Sequence, residues 1–98
     1  MNIDCSATIW KKVTIGKEVQ IWSGVIIKWK SVIGDGCKIG RRTIIQNSHI
    51  GNDVIIGQDC VFKDTYVGDN VKILPSNMKF NASKIEGDIG IYPNPVTD

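Results

Sequence analysis

A large aliphatic residue or Phe62 recurs every five or six positions from Ile3 to Ile73, and that beat decides what the chain can fold into. The series runs Ile3, Ile9, Ile15, Ile21, Ile27, Ile33, Ile39, Ile45, Ile50, Ile56, Phe62, Val67, Ile73, in ten steps of six and two of five. An amphipathic helix needs apolar residues about 3.6 apart, and a half-buried strand needs them about two apart. A beat of six fits a parallel β-helix of hexapeptide repeats, each hexad supplying one short strand and one corner. The predicted fold is all-β: a single-stranded triangular prism of about five coils, on the order of 25 Å tall if neighbouring strands lie ~4.8 Å apart.

The rest of the repeat agrees. Counting from each large apolar residue, the fifth place holds Ala7, Val13, Val19, Val25, Ser31, Cys37, Thr43, Val54, Cys60 or Val71. These small or β-branched side chains suit a crowded inner turn. The second place is often glycine, as at Gly16, Gly34, Gly40, Gly51, Gly57 and Gly68, and the third and fourth carry corner-tolerant polar residues. The shortened units, 45–49 and 62–66, fall on the same face in successive coils, with Ser48 and Thr65 in fourth place. A third, 80–84, joins them with Ser83 if 73–79 is a seven-residue unit loosened by Pro75. Ile85 and Ile91 then continue the inward series. One domain over 1–98 is expected, with regular coils over 3–78 and a less regular final coil and tail over 79–98.

Bulk properties exclude several classes. The formal charge is +2 with both signs interspersed, and no run of Lys or Arg exceeds two, so nucleic acid is not an expected partner. No apolar stretch approaches the ~20 residues of a membrane span, and the first twenty residues lack a signal-peptide core, so no membrane association is expected. Cys5, Cys37 and Cys60 show no metal-ligand spacing. Their odd number, without a leader, is read as a reducing, cytoplasmic setting.

Dealing the units to three faces separates their chemistry. The face beginning at Ile15, Ile33, Ile50 and Val67 is assigned outward Gln20, Lys38 and Lys72, a plain solvated surface. The face beginning at Ile3, Ile21, Ile39, Ile56 and Ile73 is assigned an outward apolar column of Ile26, Ile44, Val61 and Met78, with Trp22 and Leu74 beside it. A contiguous outward apolar stripe marks an interface, here expected to build a homotrimer. The third face carries Trp10, Lys28, Gln46 and Lys63, with His49, Tyr66 and Lys84 at its shortened corner.

His49 is the only histidine, hence the ready general base near neutral pH and the candidate catalytic residue; the competing reading is a corner position on a solvated edge. Tyr66, Lys63, Lys84 and Trp29 are candidate contacts for a nucleotide or sugar phosphate. The aspartates sit at corners, where such residues are turn formers, and no metal site is expected. No phosphate-cradling glycine motif is present.

The stretches 3–9, VTIGKEVQIWSGVIIK at 13–28 and SVIGDGCKIG at 31–40, with IQNSHIG at 45–51 and FKDTYVG at 62–68, resemble a known family. It is the C-terminal domain of the bifunctional N-acetylglucosamine-1-phosphate uridyltransferase/glucosamine-1-phosphate acetyltransferase, with related sugar nucleotidyltransferases. The resemblance implies a left-handed coil and a trimer. That family's nucleotide loop and its acetyl-CoA segment with the catalytic histidine have no matching motif here, so that role is not carried to His49. Three readings follow: a non-catalytic, trimer-forming assembly domain; a minimal acyltransferase using acetyl-CoA; and a module binding a nucleotide or sugar phosphate between subunits.

Overall fold

The computed structural model describes residues 2–73, 79–86 and 90–91. Its elements are strands of two or three residues, three to a coil. The first coil holds β1 (Asn2–Ile3), β2 (Thr8–Ile9) and β3 (Thr14–Ile15); the second holds β4 (Gln20–Ile21), β5 (Ile26–Lys28) and β6 (Val32–Ile33). The third comprises β7 (Lys38–Ile39), β8 (Ile44–Gln46) and β9 (His49–Ile50), and the fourth β10 (Ile55–Ile56), β11 (Val61–Lys63) and β12 (Tyr66–Val67). The fifth is β13 (Lys72–Ile73), β14 (Lys79–Asn81) and β15 (Lys84–Ile85), after which β16 (Gly90–Ile91) stacks on β13. Every pairing is parallel, and the strands sort into three sheets: β1-β4-β7-β10-β13-β16, β2-β5-β8-β11-β14 and β3-β6-β9-β12-β15.

The expected inward series is in register throughout. Ile27 pairs with Ile45, Ile45 with Phe62, and Phe62 with Phe80, so each large apolar residue lies over its counterpart one coil away. From Ile21 to Ile73 these residues are buried, alternating with Val19, Val25, Cys37, Val54, Cys60 and Val71 in the small slot. The rings of Phe62 and Phe80 stack with centroids 5.0 Å apart. Phe80 and Ile85 fall where a seven-residue unit and a third shortened unit put them, and Ile91 pairs with Ile73.

Corners work by left-handed backbone. Positive φ occurs at Glu18, Gly36, Asp53 and Asn70 on one edge, at Gly24, Arg42 and Asp59 on the next, and at Trp29, Asn47, Asp64 and Ala82 on the third. From Gly36 onward the N–H of each left-handed residue donates to a carbonyl one coil below, as Asp53 does to Asp35 (2.8 Å) and Asp64 to Gln46 (3.1 Å), whereas the Gly24 N–H donates to Ser6 Oγ (3.0 Å). The hydrogen-bond ladder thus runs round the corner, so corner backbone is not left unpaired. Gly16, Gly34 and Gly51 serve another purpose: a Cβ at any of them would collide with Asp35, Asn52 or Asp69 of the next coil. That room lets Asp35 accept from the Lys17 N–H (2.8 Å), Asn52 from Asp35 (2.9 Å) and Asp69 from Asn52 (2.8 Å).

The structure corrects the faces. The residue immediately before each inward knob shares that knob's strand, so it faces outward from that sheet and not from the preceding one. Gln20, Lys38 and Lys72 therefore belong to the first sheet, with Ile21, Ile39 and Ile73. Ile26, Ile44 and Val61 form their column on the second sheet, over Ile27, Ile45 and Phe62, and not on the face of Ile3 and Ile21. The partner of Val61 is Lys79, because the long unit shifts the column by one residue; the place expected for Met78 is taken by a lysine. Leu74 and Met78 themselves lie outside the described residues.

Candidate functional site

The corner between the second and third sheets changes length along the stack. In the second coil, β5 and β6 are joined by Trp29, Lys30 and Ser31; in the third, β8 and β9 are joined by Asn47 and Ser48 alone. Asp64-Thr65 and Ala82-Ser83 repeat the short form. A hydroxyl at the last place ties each corner to the next coil. Ser48 Oγ donates to the Gln46 carbonyl (2.9 Å) and accepts from the Thr65 N–H (3.1 Å), while the Ser48 N–H donates to Ser31 Oγ (3.1 Å). Thr65 and Ser83 likewise donate to Lys63 and Asn81 carbonyls (3.0 and 3.1 Å). Ser31 does the same in the longer corner, donating to the Lys28 carbonyl (2.8 Å), so a hydroxyl pairs backbone groups in both forms of the corner.

Lys30 is thus the one residue the longer corner has in excess, and it borders two depressions. One, of about 410 Å³, runs past Ser48 and Thr65 toward His49 and Tyr66. The other, about 290 Å³, lies between Trp29, Gln46, Asn47 and Asp64. Asn47 and Asp64 border both, joined by an Nδ2–Oδ1 hydrogen bond of 2.8 Å. A slightly larger depression, about 420 Å³, lies against Asn2, Asp4, Gln20 and Trp22. It lies against β1 and β4 of the first sheet and carries no histidine or lysine.

His49, Tyr66 and Lys84 stand in one outward column, in register one coil apart. They occupy strands β9, β12 and β15 of the third sheet, not the corner where sequence spacing put them. The imidazole and phenol rings stack at 5.1 Å with a 13° interplanar angle, and Lys84 Nζ lies 5.9 Å from the Tyr66 centroid. Lys84 also pairs with Glu86 at 3.4 Å. Among the described residues no carboxylate lies within ion-pair distance of His49, and no group of His, Cys, Asp and Glu is placed to hold a metal. The column offers an exposed aromatic stack with a cation at one end, and a base without an orienting acid.

The other candidates scatter. Lys63 lies on the second sheet between Gln46 and Asn81 and borders neither depression. Trp29 lies across the corner from His49 and packs against Trp10, centroids 5.0 Å apart at 51°. Trp22 borders a depression of about 240 Å³ on the first sheet with Ile55 and Lys38. Sequence reasoning missed Lys30, Asn47 and Asp64. Their signal was the switch from a six- to a five-residue unit at Ile45, which marks where the corner changes shape.

Elsewhere electrostatics are local. Arg42 holds Asp59 in a two-point pair (2.7 and 3.0 Å), which keeps that carboxyl below its ordinary range. Hydrogen bonds from Ser6 do the same for Asp4. Burial pushes the Cys37 thiol up, and its Sγ donates to the Gly51 carbonyl (3.0 Å).

Comparison with known proteins fits this architecture. The chain is 38% identical over 90 residues to the bifunctional protein GlmU of Geobacillus thermodenitrificans, covering 91% of the chain and 19% of that protein. It is also 38% identical over 90 residues to GlmU of Staphylococcus haemolyticus, covering 91% and 20%. The chain therefore spans about a fifth of these relatives. Among solved structures, a perosamine N-acetyltransferase variant from Caulobacter crescentus, in complex with CoA and GDP-perosamine, superposes with a TM-score of 0.57 at 17% identity, covering 95% of this chain and half (49%) of that one. PerB from the same organism gives 0.52 at 17% identity, covering 97% and 50%. These two share the fold. Residues 1–86 match the family described as the GMPPB C-terminal domain, and the chain belongs to that family.

Proposed function

We propose that this chain is a non-catalytic assembly module of the kind appended to sugar-nucleotide enzymes, working in the cytoplasm and joining copies of itself into a trimer through the second sheet. The observation that carries the proposal is the in-register column Ile26, Ile44 and Val61, aliphatic side chains on the outer surface of a parallel sheet. They are half-buried by their neighbours, so covering them completely contributes on the order of 1 kcal/mol each. A second copy of the same face matches them in length and spacing, because the strand repeat is identical. Membership of the GMPPB C-terminal domain family and similarity to GlmU support this reading. Light scattering or sedimentation velocity tests it. The wild type is expected to run as a trimer and Ile44→Asp as a folded monomer by circular dichroism. A monomeric wild type, or a trimer indifferent to Ile44→Asp, overturns it.

Acyl transfer with acetyl-CoA is the second reading. It is favoured by the exposed His49–Tyr66 stack and by solenoid acetyltransferases with CoA among the structural neighbours. A ligand at a hundred times its Kd stabilises by about 2.7 kcal/mol, which in a domain this size raises Tm by on the order of 10 °C. An acetyl-CoA shift of that size, lost in His49→Ala, would replace the assembly reading with the enzymatic one.

A further inference from the structure

Trp29 is the anomaly of the corner it occupies. The residues stacked on it are Asn47, Asp64 and Ala82, and all four have positive φ. Asparagine and aspartate accept left-handed backbone readily, whereas a tryptophan at φ 65° is a genuine outlier. Such outliers persist where surrounding structure over-determines them, and they concentrate at ligand sites. Nothing inward demands this indole, which is 49% exposed against a Trp10 that is itself 41% exposed. What the indole does is form one wall of the 290 Å³ depression, at the low end of the range for small-molecule sites.

The opposite wall is polar and only partly used. Asn47 Nδ2 donates to Asp64 Oδ1, leaving Asn47 Oδ1, Asp64 Oδ2 and the Gln46 amide without hydrogen-bond partners among the described residues. Lys30 and Asp64 border the site with opposite charges, so it is close to neutral. One aromatic wall, one wall of carboxylate and amides, and no net charge together suit a ligand with an apolar face, a rim of hydroxyls and no charge of its own. A nucleobase held by stacking on both faces would want a second aromatic opposite the indole, and the lining of this depression has none. A phosphate would want more positive charge than a single lysine balanced by Asp64.

We infer that the Trp29–Asn47–Asp64 corner binds a neutral pyranose ring, stacked on the Trp29 indole with its hydroxyls on Asp64, Asn47 and Gln46. The inference does not rest on the assembly reading: Trp29, Asn47 and Asp64 lie at the corner, and only Gln46 shares the second sheet with the Ile26–Ile44–Val61 column. The test is an NMR titration of the intact chain with methyl glycosides of glucose, galactose, mannose and N-acetylglucosamine, with uridine monophosphate as the competing probe. At least one glycoside is expected to give saturable shifts at the Trp29 indole N–H and the Gln46 and Asn47 side-chain amides, with Kd of about 1 mM or tighter. Trp29→Asn, which suits the left-handed backbone better than tryptophan, is expected to weaken that binding at least tenfold without lowering Tm. Asp64→Asn keeps the same backbone preference and should weaken binding similarly, so it carries the test if Trp29→Asn does not fold. Trp22→Phe should leave binding intact. Absence of saturation with every glycoside, binding that survives both corner substitutions, or saturation by uridine monophosphate alone would overturn the inference.

Discussion

Ser48 makes three hydrogen bonds within a two-residue corner: to the Gln46 carbonyl, from the Thr65 N–H, and to Ser31 Oγ through its own N–H. Removing the hydroxyl leaves a buried Thr65 N–H without its acceptor. An unsatisfied buried donor costs about 1–3 kcal/mol, so Ser48→Ala should lower stability by that amount in urea unfolding. Ser48→Thr should be nearly neutral, because it keeps the hydroxyl and Thr65 one coil on already makes the equivalent donor bond, to the Lys63 carbonyl. The preference for a hydroxyl at the end of each short unit was visible in the residues themselves. Its reason was not: the acceptor bond runs to a residue 17 positions away, which only the stacked coils bring close. The glycines teach a similar lesson. Corner flexibility is the obvious reading of Gly34, yet the structure gives it a spatial reason, since a Cβ there would overlap Gly51 and Asn52.

Elements two or three residues long have little identity of their own, and this is where face assignment from sequence slipped. From Ile21 to Ile73 the beat located the inward residues correctly, but strands begin one residue before the knob, so each outward column belongs to the next face round. Once strand starts are known, Ile26, Ile44 and Val61 move to the second sheet and Lys79 takes the place expected for Met78. His49, Tyr66 and Lys84 were correctly grouped but are strand residues, not corner residues. The same distinction yields a prediction. Inserting one glycine after Asn47 restores the length that Trp29-Lys30-Ser31 already has, so the solenoid should keep its circular dichroism spectrum and lose little stability. Inserting it between Ile44 and Ile45 instead interrupts β8 within its pairing with β5 and β11 and displaces Ile44 from the outward column, so it should cost clearly more stability than the corner insertion.

The whole molecule is a stack in which each coil touches only its neighbours, so stability should be graded along the axis. Ile3 is 41% exposed at the open first coil, whereas Ile45 in the third is fully buried. Ile45→Ala is expected to cost about 2–5 kcal/mol as a core cavity, and Ile3→Ala well under half of that. Hydrogen exchange should show the slowest amides in β4 to β12; equal costs at the two sites would mean the coils do not behave as a stack. The sequence by itself determined the period, the inward column, the shortened units and the location of the solenoid's small slots, because all of these follow from local spacing. Only the tertiary structure decided which outward residues share a sheet, which hydroxyl reaches which backbone, and that Trp29, Asn47 and Asp64 line one depression at a corner whose length changes. Those relations join residues 17 or 18 apart through strand register, and a one-residue change in a unit resets them.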